Sequence, residues 1–103
     1  FILWLDKKIP DNNNLIVLIR GEPVYLMSEF AFNLYPRDVK FINISGEKKQ
    51  NIIEEIKKIN EGHKQKYKYI IVLSEKDKIV SYEISLVDSY RENSGFIYYY
   101  EPK

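Results

Sequence analysis

The chain of 103 residues contains no cysteine, which excludes disulfides, thiolate metal sites and cysteine nucleophiles. A single histidine, His63, argues against a histidine-based zinc site and against a serine triad. Excess charge of one sign is also lacking. Lys and Arg number 16 and Asp and Glu 15, so the net charge is +1 and the cationic surplus of a nucleic-acid binder is missing. Long apolar runs are absent too. The opening Phe1-Ile2-Leu3-Trp4-Leu5 spans roughly 7.5 Å as helix, far short of the ~30 Å hydrocarbon core of a bilayer. Alanine occurs once, at Ala31, and glycine and proline four times each, so each Gly or Pro is an informative punctuation mark.

What is present is enough for an ordinary folded domain. Apolar types make up 45% and charged types 30%, and the length suits one domain spanning residues 1–103. Fifteen Ile, thirteen Lys, nine Tyr, eight Asn and five Phe together supply nearly half the chain. These residues have AT-rich codons, so the lysine count by itself carries little functional weight. The chain opens on Phe1 rather than Met, as a piece of a longer protein would, and its apolar start is compatible with a membrane segment immediately upstream.

Turn residues divide the chain into short elements. Phe1 to Ile9 reads as a helix stopped by Pro10, and Leu15 to Ile19 as a strand covered on both faces. Gly21-Glu22-Pro23 ends that strand and starts a helix to about Leu34, with Val24, Met27, Phe30, Ala31 and Leu34 as its apolar face. Val39 to Ile44 is a second strand. Lys48 to Asn60 is the clearest helix, with Ile52, Ile53, Ile56 and Ile59 on one side, a Glu54–Lys58 pair outside, and Gly62 as its stop. Tyr69 to Leu73 is a third strand and Phe96 to Tyr100 a last one. Between them, Val80, Tyr82, Ile84 and Leu86 alternate as in a strand, yet Val80, Ile84 and Val87 keep helical spacing. We read Asp77 to Glu92 as a helix. The resulting alternation predicts a three-layer, Rossmann-like α/β domain, a mostly parallel four-stranded sheet with helices on both faces.

Such a sheet would hold a ligand at the carboxyl ends of its strands, where Arg20, Glu22, Ser45 and Ser74 would line a crevice. The turn Arg20-Gly21-Glu22-Pro23 has one glycine where a pyrophosphate needs several, and Glu22 and Pro23 work against a phosphate. Glu22 suits the helix dipole better. The acids Asp38, Glu47, Glu75, Asp77 and Asp88 occupy no recognisable metal-binding loop, and Ser28, Ser45 and Ser74 lack a nucleophile elbow. His63 sits among lysines in Gly62-His63-Lys64-Gln65-Lys66-Tyr67-Lys68-Tyr69, with no orienting carboxylate. Single-stranded nucleic acid would need a wider cationic groove and stacking platforms, whereas Tyr67 and Tyr69 mark strand entry; an anionic surface is the lesser alternative for the lysine cluster. No catalytic residue, metal ligand or cofactor site is expected. In Leu34-Tyr35-Pro36-Arg37, Pro36 forces an extended exit, the Tyr35 ring can cover the helix end, and Arg37 can bond the last helix carbonyls.

Trp4-Leu5 with Ile9-Pro10, the Leu15 to Ile19 strand, Gly21-Glu22-Pro23, Leu34-Tyr35-Pro36-Arg37-Asp38-Val39 and Tyr69-Ile70-Ile71-Val72 also carry a resemblance. From Trp4 to Leu73 the chain resembles a soluble segment at the extracytoplasmic end of some multi-span bacterial membrane proteins. Those proteins look like glycosyltransferases that use polyprenyl-phosphate sugars, or uncharacterised relatives of them. The resemblance implies a parent membrane domain upstream of Phe1, catalytic machinery located there, and a non-catalytic accessory domain outside the cytoplasm. The alternative is a small standalone enzyme binding a nucleotide or sugar phosphate in the Arg20, Glu22, Ser45 and Ser74 crevice.

Overall fold

Three short apolar runs form the parallel part of a sheet. The computed structural model describes residues 1–10, 12–46, 49–62, 66–91 and 94–101. Strand β1 (Asn14–Ile19) is buried along its whole length, between β2 (Val39–Asn43) and β3 (Tyr67–Val72), and is parallel to both. Helix α1 (Ile2–Lys8) precedes β1, α2 (Val24–Asn33) links β1 to β2, and α3 (Lys49–Asn60) links β2 to β3. Beyond β3 come a 3-10 turn (Glu75–Asp77), β4 (Ile84–Tyr90) and β5 (Gly95–Tyr100).

The sheet has five strands in the order β2-β1-β3-β5-β4, with β5 antiparallel to both β3 and β4. This corrects the four-stranded, mostly parallel, Rossmann-like expectation, and the error lies in one segment. Of the stretch expected as a helix over residues 77 to 92, Asp77 ends the 3-10 turn, residues 78–83 form neither helix nor strand, and Ile84–Tyr90 is β4. Only residues 91–94 separate β4 from β5, too few for the crossover that parallel strands require, so the two pair as a hairpin. The helical spacing of Val80, Ile84 and Val87 has a different origin. The register shifts between Leu86 and Asp88, leaving Val87 as the extra residue of a bulge. Ile84 and Leu86 pair with Tyr100 and Tyr98 on one face, whereas Asp88 and Tyr90 pair with Ile97 and Gly95 on the other. A period of two broken by one residue imitates a helical pattern.

Each sheet face has its own core. Ile52, Ile53 and Ile56 of α3 pack on Ile16, Leu18, Ile70, Val72 and Phe96. On the other face Leu5 of α1 and Phe30 of α2 pack on Leu15, Val17, Ile19, Ile71 and Ile97, with Leu34 just past α2. Each fully buried side chain of this size stabilises by about 1.5–3 kcal/mol. Phe1 closes the far end of this second core, stacked near Trp4 and edge-on to Phe30 and Tyr90. Gly95 permits that fit, because a Cβ there would collide with Cε1 of the Phe1 ring. Gly62 has φ +74°, the left-handed geometry that ends α3. Among the described residues no helix is long and apolar enough to cross a membrane.

Candidate functional site

The carboxyl ends of β1 and β2 do come together, but their polar groups bind one another. The Gly21 N–H, the backbone donor that a phosphate would need, donates at 3.0 Å to both Asn43 Oδ1 and Ser45 Oγ. Asn43 Oδ1 also accepts the Ser45 N–H at 3.0 Å. Arg20 reaches Asp77 at 2.5 Å, and that hydrogen bond, then the carboxylate's charge, raises the guanidinium pKa above its ordinary value. Glu22 is exposed, and the α2 N-cap is Pro23, with no side-chain cap. Ser74 stands at the N-cap of the 3-10 turn, and its side chain makes no capping bond there. Arg20 and Ser45 are thus committed to internal partners, and Glu22 and Ser74 add no converging group.

The acids expected near strand ends are dispersed. Asp77 pairs with Arg20, Asp88 with Lys8 at 3.0 Å, and Asp38 accepts from the Tyr67 hydroxyl at the opposite end of the sheet. Glu75 and Ser28 are exposed. Glu47, His63 and Lys64 lie outside the described residues. Among those described, no group of three His, Asp or Glu side chains could hold a metal ion. On α3 the ion pair runs from Glu54 to Lys57 at 3.9 Å rather than to Lys58.

Arg37 does more than the sequence implied. Its side chain is 1% exposed. It donates to the Leu34 carbonyl, as expected, at 3.4 Å. It also reaches Asp6 Oδ1 at 2.6 Å and the carbonyls of Asp6, Ile9 and Pro10 at 3.0, 2.6 and 3.2 Å. One guanidinium therefore locks the ends of α1 and α2 together, an arrangement suited to its planar set of donors. The Tyr35–Pro36 bond is cis, and Tyr35 faces solvent instead of covering the helix end.

The feature that sequence reasoning missed is the outer face of α2. Met27 is half-buried and Phe30 and Leu34 are buried, but Val24 and Ala31, expected inside, are exposed. Tyr25 and Phe32, seven residues apart and so on one face two turns apart, are 82% and 83% exposed. Leu3 of α1 is 73% exposed as well, and a groove of about 510 Å³ runs between α1 and α2. Leu3, Leu26, Phe30, Leu73 and Glu29 help line it, and Glu29 is its single charged side chain among the described residues. A signal was available: α2 carries one charge in ten residues, too few to furnish a polar face.

Comparison of the chain with protein-family models, with curated proteins and with solved structures gave no match.

Proposed function

We propose that this domain is a non-catalytic accessory module that docks through the outer face of α2 onto an apolar surface of its own parent protein. The observation carrying this reading is the exposed Tyr25 and Phe32 pair on α2, the helix whose Leu26 lines the groove with Leu3. Exposed apolar surface of this kind, rimmed by polar groups, commonly marks an interaction site. Charge chooses the occupant. Among the described residues, Glu29 is the one charged side chain lining the groove; its carboxylate disfavours anionic lipid and favours an apolar protein segment carrying a Lys or Arg. The resemblance extends the proposal to a membrane-embedded, glycosyltransferase-like parent with this domain on its extracytoplasmic side. The mutual pairing of Gly21, Asn43 and Ser45, and of Arg20 with Asp77, supports a scaffold in preference to a nucleotide-binding enzyme.

A photo-crosslinking residue at position 25 tests the docking in the intact parent. Covalent products joining this domain to the rest of the parent are expected at position 25 and not at position 54 on α3. Equal yields at both positions, or none at 25, would overturn the proposal. Apolar segments of about 20 residues encoded upstream of Phe1 are the matching expectation for the membrane parent.

A further inference from the structure

The outer surface of α2 is arranged around its one charge. Glu29 is the only charged residue of the helix. Residues three and four apart are neighbours on a helix surface, so Tyr25 and Leu26 flank Glu29 on one side and Phe32 and Asn33 on the other. The carboxylate therefore stands within the exposed apolar surface of α2 and not at its rim. Among the described residues Glu29 forms no ion pair. A carboxylate covered by apolar groups without a counter-charge is costly, so whatever covers this surface has to bring a cation to position 29.

The groove itself limits the form of the partner. Leu26, Glu29, Phe30 and Asn33 are the α2 residues that line it, and their spacing makes one stripe along the helix axis. The groove thus follows α2 for roughly 10 Å, with Ile2 and Leu3 of α1 also lining it. It lies between two helices and not at a sheet edge, so an incoming strand finds no ladder of backbone donors and acceptors to join. Of the polar lining side chains, Asn33 already donates from Nδ2 to the Glu29 carbonyl at 2.8 Å. An extended segment seated here would press unpaired backbone N–H and C=O groups against Leu3, Leu26, Phe30 and Leu73, whereas an α-helix carries its own hydrogen bonds.

We propose that the occupant of this groove is an amphipathic α-helix of the parent, its register set by a Lys or Arg paired with Glu29. Apolar side chains about one turn to either side of that cation fill the groove, the three- and four-residue spacing of a helix-in-groove contact. The inference rests on the docking proposal and adds to it the form of the partner and a specificity-determining residue, Glu29.

The test uses the intact parent, its native cysteines replaced, and starts from the segment that crosslinks to position 25. Leu26→Cys in the groove is combined with single cysteines at ten consecutive positions of that segment, and the disulfide yield on mild oxidation is read for each pair. Yields that peak every three to four residues are expected. Peaks at every second residue would overturn the helix and leave docking standing, as would no disulfide at any position while position 25 still crosslinks. Loss of both signals would sink the docking proposal and this inference together. The charge is tested separately at Glu29, which is exposed, so that the domain keeps its own core. Glu29→Lys should lower crosslinking from position 25 about tenfold, and exchange of the facing parental Lys or Arg for Glu should restore it. An unchanged yield in Glu29→Lys, or no restoration in the double exchange, would overturn the role of Glu29.

Discussion

The two longer helices cover opposite faces of one sheet and meet water in opposite ways. Helix α3 buries Ile52, Ile53 and Ile56 and turns Asn51, Glu54 and Lys58 outward. Helix α2 buries Phe30 and turns Val24, Tyr25 and Phe32 outward. Both inner faces do the same work, so folding alone does not explain the difference between the outer ones. A ten-residue helix that holds its place through Met27, Phe30 and Leu34 has no folding need for two exposed aromatic side chains. The contrast is that α3 turns a polar face to solvent and α2 an apolar one, and the docking proposal gives that apolar face a covering partner.

The largest way to break the comparison is to release α2 from α1. Arg37→Met removes every guanidinium bond at once and leaves the Ile9 carbonyl without that donor in a buried setting. We expect a loss of about 3 kcal/mol or more, read by urea denaturation, out of the 5–15 kcal/mol typical of a domain. A loss below about 1 kcal/mol would show that α1 and α2 hold together without the clamp.

The α3 side can be broken through pH. Burial first, and then the hydrogen bond to Asp38, push the Tyr67 phenol from its ordinary value of 10.0 up to about 12. The unfolded chain releases this proton near pH 10 and the folded chain only near 12. Stability from Tyr67 is therefore complete below pH 10 and disappears as the pH rises through 12, a change on the order of 2 kcal/mol. In Tyr67→Phe that alkaline loss should shrink. An identical pH profile in the variant would contradict the assignment.

Gly95→Ala sharpens the packing that sets α1, and with it the groove. The added methyl collides with the Phe1 ring, and a cost of roughly 1–3 kcal/mol is expected. Combining it with Phe1→Ala should give less than the sum of the two single effects, because the collision is then gone. The smallest effect concerns α2 itself. Tyr25→Ser with Phe32→Ser should change the stability of the isolated domain by no more than about 0.5 kcal/mol per site, as for other exposed positions.

Much of the first two-thirds of the fold is legible in the sequence, because Pro10, Gly21-Glu22-Pro23, Tyr35-Pro36, Ser45-Gly46 and Gly62 delimit its elements to within a residue or two of their observed ends. The part after Val72 is not. Its pattern is carried by an edge strand whose Leu86 and Val87 are half exposed, and a bulge resets the alternation midway. Sheet order was equally hidden, since it depends on the short β4–β5 connection once both are known to be strands. Arg37 was legible only as far as Leu34, its neighbour in the chain; Asp6, Ile9 and Pro10 are about thirty residues away and were brought near by the fold. The crevice residues were placed at the right end of the sheet, but no sequence pattern records that Asn43, Ser45 and Asp77 already satisfy Gly21 and Arg20. On α2 the three- and four-residue spacing puts Val24 and Ala31 inside with Met27, Phe30 and Leu34 and assigns no side to Tyr25, Leu26 and Phe32, whereas Val24 and Ala31 are exposed with them.

Thiol labelling tests the claim about α2 most directly, since this segment has no cysteine of its own. Phe32→Cys and Lys58→Cys place one thiol on each outer face. In the isolated domain both should react with maleimide quickly; in the intact parent, position 58 should remain fast and position 32 should become slow. A thiol at position 32 that reacts as fast in the parent as in the isolated domain would contradict the account.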